Sequence, residues 1–358
     1  MADGNDTRLR IARPTFKVDG QEQGPLASAL LELSVEESTD GLYRCEATFG
    51  NLGPKDGSTG FLYFDRKLLD FGKTFSVWLG TDVLFEGRIT ALEGLFLESA
   101  PPAITVLAED RFQDLRMTRR TATYVDVTDK QVIERLAGKH GLTPDVQVRG
   151  PTHAVLAQVN QSDLAFLRER CRAVDAELWM EGRTLHAKHR AARPQGQALK
   201  LGMGNELREV VVTADLATQR SAVKVSGWDV HAKDALTHEA GPSVLGAELG
   251  SDESGASLLA AKLAERKESV VHTVPQNSDE AKAQAEACFR QMARRFVVAR
   301  GTAQTDAKLR VGGRVELSGV GPLFTGTYTL VDVKHVFDGA KGLRTDFVAE
   351  RPGLGRPS

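Results

Sequence analysis

Glycine occurs 34 times in 358 residues, spread along the chain rather than in low-complexity runs, and it brackets short apolar segments along much of the chain. A residue without a Cβ enters turn conformations that others avoid, so this spacing predicts many turns and therefore many short strands. Residues 15–18 run into the Asp19-Gly20 hairpin signal, and residues 30–35 and 42–49 flank Asp40-Gly41. Residues 51–60, rich in Gly, Pro, Asp and Ser, read as a loop. Further strands are expected at 75–79, closed by Gly80, at 84–92, interrupted by Gly87, and at 103–108. Glycine inside a strand marks a bulge or a barrel corner, and strands at this spacing favour a small barrel or sandwich.

The middle of the chain changes period. Thr128-Asp129-Lys130-Gln131 is a capping box, followed by an apolar stripe at Val132, Ile133 and Leu136 and by Gly141. Ser162 and Asp163 open a second helix, with Leu164, Leu167, Cys171 and Val174 on one face. Strands at 177–180 and 184–186 complete a small α/β module. Strand patterning returns at 210–213 and 222–225. Residues 257–267 and a longer stretch from Ser278 read as helices, the latter with Ala281, Ala285, Cys288, Met292 and Phe296 on one stripe. Strands at 314–317, 327–337 and 343–350 close the chain.

Composition excludes several function classes. The 46 Lys and Arg against 48 Asp and Glu leave a formal charge of -2, which argues against bulk nucleic-acid binding. Cys45, Cys171 and Cys288 are far apart and odd in number, so neither a disulfide framework nor a CxxC zinc site is expected. No apolar run reaches the ~18 residues needed to span a bilayer, so no membrane insertion is expected. The acidic, polar start Met1-Ala2-Asp3-Gly4-Asn5-Asp6 does not read as a secretory signal.

Catalytic patterns are missing. HExxH, GxSxG and phosphate-loop motifs are absent. His186 and His189 have H-x-x-H spacing but no third ligand nearby, and read as two solvent-exposed histidines. Cys171 reads as core. The basic group Arg111, Arg116, Arg119 and Arg120 reads as a solvated face, the alternative being an acidic partner surface. No catalytic, cofactor-binding or metal-binding residue is therefore expected.

One internal echo stands out. Leu84-Phe85-Glu86-Gly87-Arg88-Ile89-Thr90 matches Leu323-Phe324-Thr325-Gly326-Thr327-Tyr328-Thr329 at Leu, Phe, Gly and Thr, and each copy follows a glycine-bounded strand. Either this is coincidence or the chain carries two similar barrels. In the second case three copies would present near six-fold symmetry.

Several stretches together resemble a family. Gln158, Ser162, Asp163, Phe166 and Leu167, continuing into Glu177-Leu178-Trp179-Met180 and Gly182, resemble the hub proteins of contractile tails: the phage late-control D proteins and the first portion of VgrG-type proteins. Gly72, with Phe85 and Gly87, looks like that family's first barrel. Gly227-Trp228-Asp229 resembles its second-barrel strand end. Phe324, Gly326, Tyr328, His335 and Phe347 look like the rest of the second barrel. The resemblance implies a mixed β and α/β chain with two similar tube-like barrels, an inserted small α/β module and a helical segment. The expected division is a first barrel at 1–120, the module at 121–200, the start of the second barrel at 201–253, a helical insertion at 254–300, the remainder of the second barrel at 301–351 and a tail at 352–358. The helical insertion is expected to be peripheral.

Such hubs form homotrimers that adapt a hexameric inner tube to a three-fold spike. As the chain stops at Ser358, the trimeric spike is expected to be a separate protein. Contacts with other baseplate components follow, without catalysis, cofactor or specific nucleic-acid binding. Assembly in the bacterial cytoplasm is expected, within a phage tail baseplate or an injection particle. The rivals are a peptidoglycan-cleaving tail enzyme, which needs converging carboxylates, and a receptor- or glycan-binding module, which needs a groove of exposed aromatics. Only three Trp and four Tyr occur.

Overall fold

The structure, a computed structural model, describes residues 13–229 and 232–355; the reading of the first six residues as a non-secretory start lies outside them. Twelve strands matter most. In the first part of the chain they are β1 (Thr15–Val18), β2 (Leu30–Ser38), β3 (Arg44–Gly50), β4 (Thr74–Leu79), β5 (Asp82–Leu95) and β6 (Ala103–Glu109). In the last part they are β7 (Leu199–Gly202), β8 (Leu207–Ala214), β9 (Val297–Gln304), β10 (Arg314–Ser318), β11 (Gly326–Asp338) and β12 (Gly342–Arg351). With the short Gln21–Glu22 they make one 13-stranded sheet.

The sheet contains one strand order twice. The first half runs β2-β3-β6-β5-β4-β1, and the second runs β8-β9-β12-β11-β10-β7. Irregularities fall at matching places: between Leu30 and Glu32 on β2 and between Leu207 and Glu209 on β8, then between Ile89 and Ala91 on β5 and between Leu330 and Asp332 on β11. The entry turns match as well. Gly72 N–H donates to Ile89 O at 2.9 Å and Gly312 N–H to Leu330 O at 2.8 Å. Both glycines have left-handed φ, +78° and +83°, which L side chains adopt only under strain. One strand departs from the repeat: β1 runs antiparallel to β4, whereas β7 runs parallel to β10. The two halves join where residues 332–338 of β11 pair antiparallel with residues 32–38 of β2.

The seven-residue echo is not the register of this repeat. Thr74 pairs with Arg88, and its counterpart Arg314 pairs with Thr329, so Gly87 corresponds to Tyr328 and Phe85 to Gly326. The sequence match is out of step by two residues. Gly87 is glycine for a local reason: a Cβ there would stand 2.3 Å from Glu109 O on β6. Gly326, at φ +141°, lies under the Arg351 guanidinium.

Separate cores fill the two halves. Phe16, Phe49, Phe75, Val77 and Val106 are fully buried in the first, and Leu309, Val315, Leu330 and Ala349 in the second. Residues 51–60, read as a loop, instead form a hairpin, Leu52–Lys55 against Ser58–Phe61, turned by Asp56-Gly57. The α/β module is as expected. Strand Arg119–Thr128 pairs with Thr152–Ser162, and helices Asp129–Lys139 and Asp163–Ala173 pack with the three-stranded sheet of Thr143–Gln147, Thr184–His189 and Ala176–Glu181. The capping box forms: Thr128 N–H donates to Gln131 Oε1 at 2.9 Å, and Gln131 N–H to Thr128 Oγ1 at 3.3 Å.

Two expectations are corrected in the region 201–300. Gly227, Trp228 and Asp229 do not belong to the second half of the large sheet. Their strand, Ala222–Asp229, pairs with Asp234–Ala240 and Lys267–Val270 in a sheet of its own. Helix Ser278–Arg294 covers it through Val223, Val225, Ala281, Ala285 and Phe289. Alternating hydrophobicity marks a strand but does not say which sheet it joins. The helix expected at 257–267 spans Gly255–Leu263, and the chain then turns into the strand Lys267–Val270.

Candidate functional site

Five of the residues singled out in the sequence gather around one buried carboxylate in the α/β module; the others lie elsewhere in the fold. Ser162 caps helix Asp163–Ala173, accepting from Ala165 N–H at 3.1 Å. Asp163 beside it is fully buried. It accepts from Gln158 Nε2 at 2.9 Å and Arg120 Nε at 2.9 Å, and His140 Nε2 lies 2.8 Å away. Burial alone would raise its pKa; the three partners outweigh burial and hold the carboxyl below its ordinary value. Tyr124 donates to Gln158 Oε1 at 3.1 Å and stacks on Phe166, and Leu167 is buried in the same core. The quintet Gln158, Ser162, Asp163, Phe166 and Leu167 is thus one packing and hydrogen-bonding unit.

The basic group is spent locally. Arg120 meets Asp163, Arg116 meets Glu109 at 2.6 Å, Arg111 lies 3.6 Å from Asp114, and Arg119 donates to Asn160 O. Arg116 and Arg119 stay exposed, as a solvated face requires, but each already has a partner within the fold. His186 and His189 are half-buried, which corrects their reading as solvent-exposed. His186 lies 2.9 Å from Asp145 and stacks on Trp179, while His189 Nε2 accepts from Arg149 N–H. Among the described residues no three His, Cys, Asp or Glu side chains group to hold a metal ion. Cys171 is core, its thiol pushed up to about 12 by burial. No helix of the described residues is long and apolar enough to cross a membrane.

In the second half, Tyr328 donates to Phe324 O at 2.7 Å under the Arg351 guanidinium, and Phe347 is buried. His335 sits where the halves join, opposite Val35 and fully buried, with Nδ1 2.8 Å from Thr345 Oγ1. Burial, helped by nearby Arg310, lowers its pKa to about 3, so it is neutral. Of the remaining motif residues, Gly72 makes an entry turn, Phe85 is core, and Trp228 is 54% exposed at the tip of the small sheet.

The strongest polar contacts were not legible in the sequence. Arg190 joins Glu177 at 2.7 Å and Glu350 at 2.8 Å; Arg193 joins Glu177 at 3.0 Å. Arg294 grips Asp175 and Glu248. His153 lies 2.7 Å from Glu280 and 3.1 Å from Asp129, whose other oxygen accepts from Arg170 at 2.6 Å. These clamps fasten the module to helix Ser278–Arg294 and to β12, so the helical insertion is a tie between bodies rather than peripheral. Burial would lower the pKa of His153, but its hydrogen bonds to Asp129 and Glu280 raise it to about 9. A raised histidine contributes stability that is complete below its unfolded value of about 6.5 and lost as pH rises through about 9. Urea midpoints are therefore expected to fall between pH 7 and pH 10, and His153→Gln is expected to flatten that slope. An unchanged slope in the variant would remove His153 as the cause.

A family model described as the Alg8 N-terminal domain matches residues 63–338. No curated protein matches the sequence. Among solved structures, the chain is similar to the 43 kDa tail protein of prophage MuSo2 from Shewanella oneidensis, with TM-score 0.69 and 11% identity over 95% of this chain and 98% of that one. It is similar to a tail protein from Neisseria meningitidis MC58, with TM-score 0.67 and 13% identity over 96% and 97%. It is also similar to an E. coli component of the type VI secretion system, itself described as structurally similar to the bacteriophage T4 tail proteins gp27 and gp5; there the TM-score is 0.56, with 14% identity over 96% and 79%. The fold is that of these tail proteins.

Proposed function

The chain belongs to the Alg8 N-terminal domain family, and from its repeated strand order and its tail-protein fold we propose that it is the structural hub of a contractile tail or contractile injection system. The family description names a domain and states no reaction, so the fold carries the reading. The single supporting observation is the six-strand order that occurs twice in one sheet. A chain with two equivalent units offers two equivalent docking positions, so three chains offer six. Such a ring would match a six-fold inner tube on one face and a three-fold spike on the other.

In this reading the work is mechanical. The clamps around Asp163, Arg190 and Arg294 keep module, helix and sheet in one rigid arrangement, so force from a contracting sheath passes to a spike instead of deforming the hub. The partners are two further copies, a separate trimeric spike, a hexameric tube protein and other baseplate components. Assembly takes place in the bacterial cytoplasm, and the product is a virion tail or an injection particle. Light scattering of the purified chain, alone and mixed with a trimeric spike protein, is expected to give a trimer and then a trimer-spike complex. A strictly monomeric particle that ignores the spike would rule the hub out.

A further inference from the structure

The joint inside one chain is a template for a joint between chains. At the internal joint, β2 from the first half lies against the outer edge of β11 from the second. The counterpart of β2 is β8, and the counterpart of β11 is β5. Both are left with an open edge. Among the described residues β8 forms a ladder only with β9, apart from an isolated bridge between its first residue Leu207 and Met203, and on the side of β5 that carries β4 the ladder stops at Arg88. An open strand edge is a row of unpaired N–H and C=O groups ready for another strand.

Exposure makes the same point. The irregularities after Ile89 and Leu330 align the two long strands, so that Phe96 corresponds to Phe337. Phe337 is 5% exposed, covered at the internal joint; Phe96 is 66% exposed, and Leu97 next to it 61%. Val211, at the centre of β8, is 70% exposed. Large apolar side chains therefore stand at both open edges, at positions whose counterparts flank a filled joint.

We propose that β8 of one copy pairs antiparallel with residues 91–97 of a second copy, in the register of the internal joint. There Val336 faces Ser34; the counterparts of these residues are Leu95 and Val211, which places Leu95 of one copy opposite Val211 of the next. The two edges differ, so the contact is head-to-tail and propagates until a ring closes. This rests on the trimer proposed above and adds to it the strands, register and face by which the copies meet.

A Leu95→Cys, Val211→Cys double variant tests the register. Residues directly opposite on antiparallel strands have Cα atoms about 4.5–5.5 Å apart, within disulfide reach. Mild oxidation is expected to give a covalent trimer on a non-reducing gel, and moving one cysteine to Val212, whose side chain points to the other face, is expected to abolish it. Val211→Lys alone is expected to turn the trimer into a folded monomer with its melting curve retained, and adding Leu95→Glu to restore the trimer. A trimer by light scattering that neither cross-links through these positions nor responds to Val211→Lys overturns this seam and leaves the hub reading standing. A wild-type monomer overturns both.

Discussion

Replacing Arg294 with alanine is expected to lower the unfolding free energy by about 3–5 kcal/mol, because it leaves the buried carboxylate of Asp175 and the half-buried one of Glu248 without their counter-charge. The guanidinium is 4% exposed. It holds Asp175 through two hydrogen bonds of 2.5 and 2.8 Å, and Glu248 through two of 2.6 and 2.7 Å. Asp175 lies in the turn after the module's second helix, Glu248 ends the short 3-10 segment Pro242–Glu248, and Arg294 closes helix Ser278–Arg294, so one side chain fastens three segments. Urea unfolding measures the loss. A double variant, Arg294→Ala with Asp175→Ala, is expected to lose less than the sum of the two single changes, since each single change strands a charge and the pair does not. A loss under about 1 kcal/mol in the single variant would mean that water or a neighbour takes over the carboxylates, and the clamp would not be structural.

Asp163→Ala is expected to cost a similar amount, about 3–5 kcal/mol. It leaves the Gln158 amide, Arg120 and His140 facing a gap where a fully buried carboxylate stood. Asp163→Asn keeps the shape but puts a donor where acceptors are needed, and is expected to recover little. The pH signature has the opposite sign to that of His153. A carboxyl whose folded pKa is depressed contributes stability that is complete above its unfolded value, near 3.8, and lost as pH falls through the lower folded value. The wild type is therefore expected to lose stability on acidification more steeply than Asp163→Ala. Matching acid profiles in the two proteins would contradict the assignment.

These two residues differ in how they could be found. Asp163 follows an N-cap serine on a helix with an apolar stripe, and its partner Gln158 is only five residues away, so a local pattern exposed it. Arg294 has partners 119 and 46 residues distant, and nothing in its own neighbourhood marks it among the chain's other arginines. The basic group at 111–120 shows the converse. Its residues are visible as a cluster, yet each is already paired or hydrogen-bonded within the fold, which composition cannot reveal.

Turns, caps and strand alternation were legible because their physics acts over a few residues. A glycine supplies left-handed φ where it stands, a capping box satisfies donors within one turn, and side chains alternate along one strand. These signals predicted the many-stranded β framework, the α/β module with its two capped helices, the Ser278 helix and the core position of Cys171. Three things needed the tertiary structure. Strand partners did: Gly227-Trp228-Asp229 is a good strand end that joins a sheet other than the expected one. Register did: the seven-residue echo hinted at a repeat but placed it two residues out of step, because pairing is set by bulges and entry turns rather than by matching letters. The long-range ion pairs did as well, since two charges meet only when the chain between them has folded. Local chemistry thus wrote the elements into the sequence, and proximity between distant residues decided their pairing, their clamps and the open edges at which a second copy would dock.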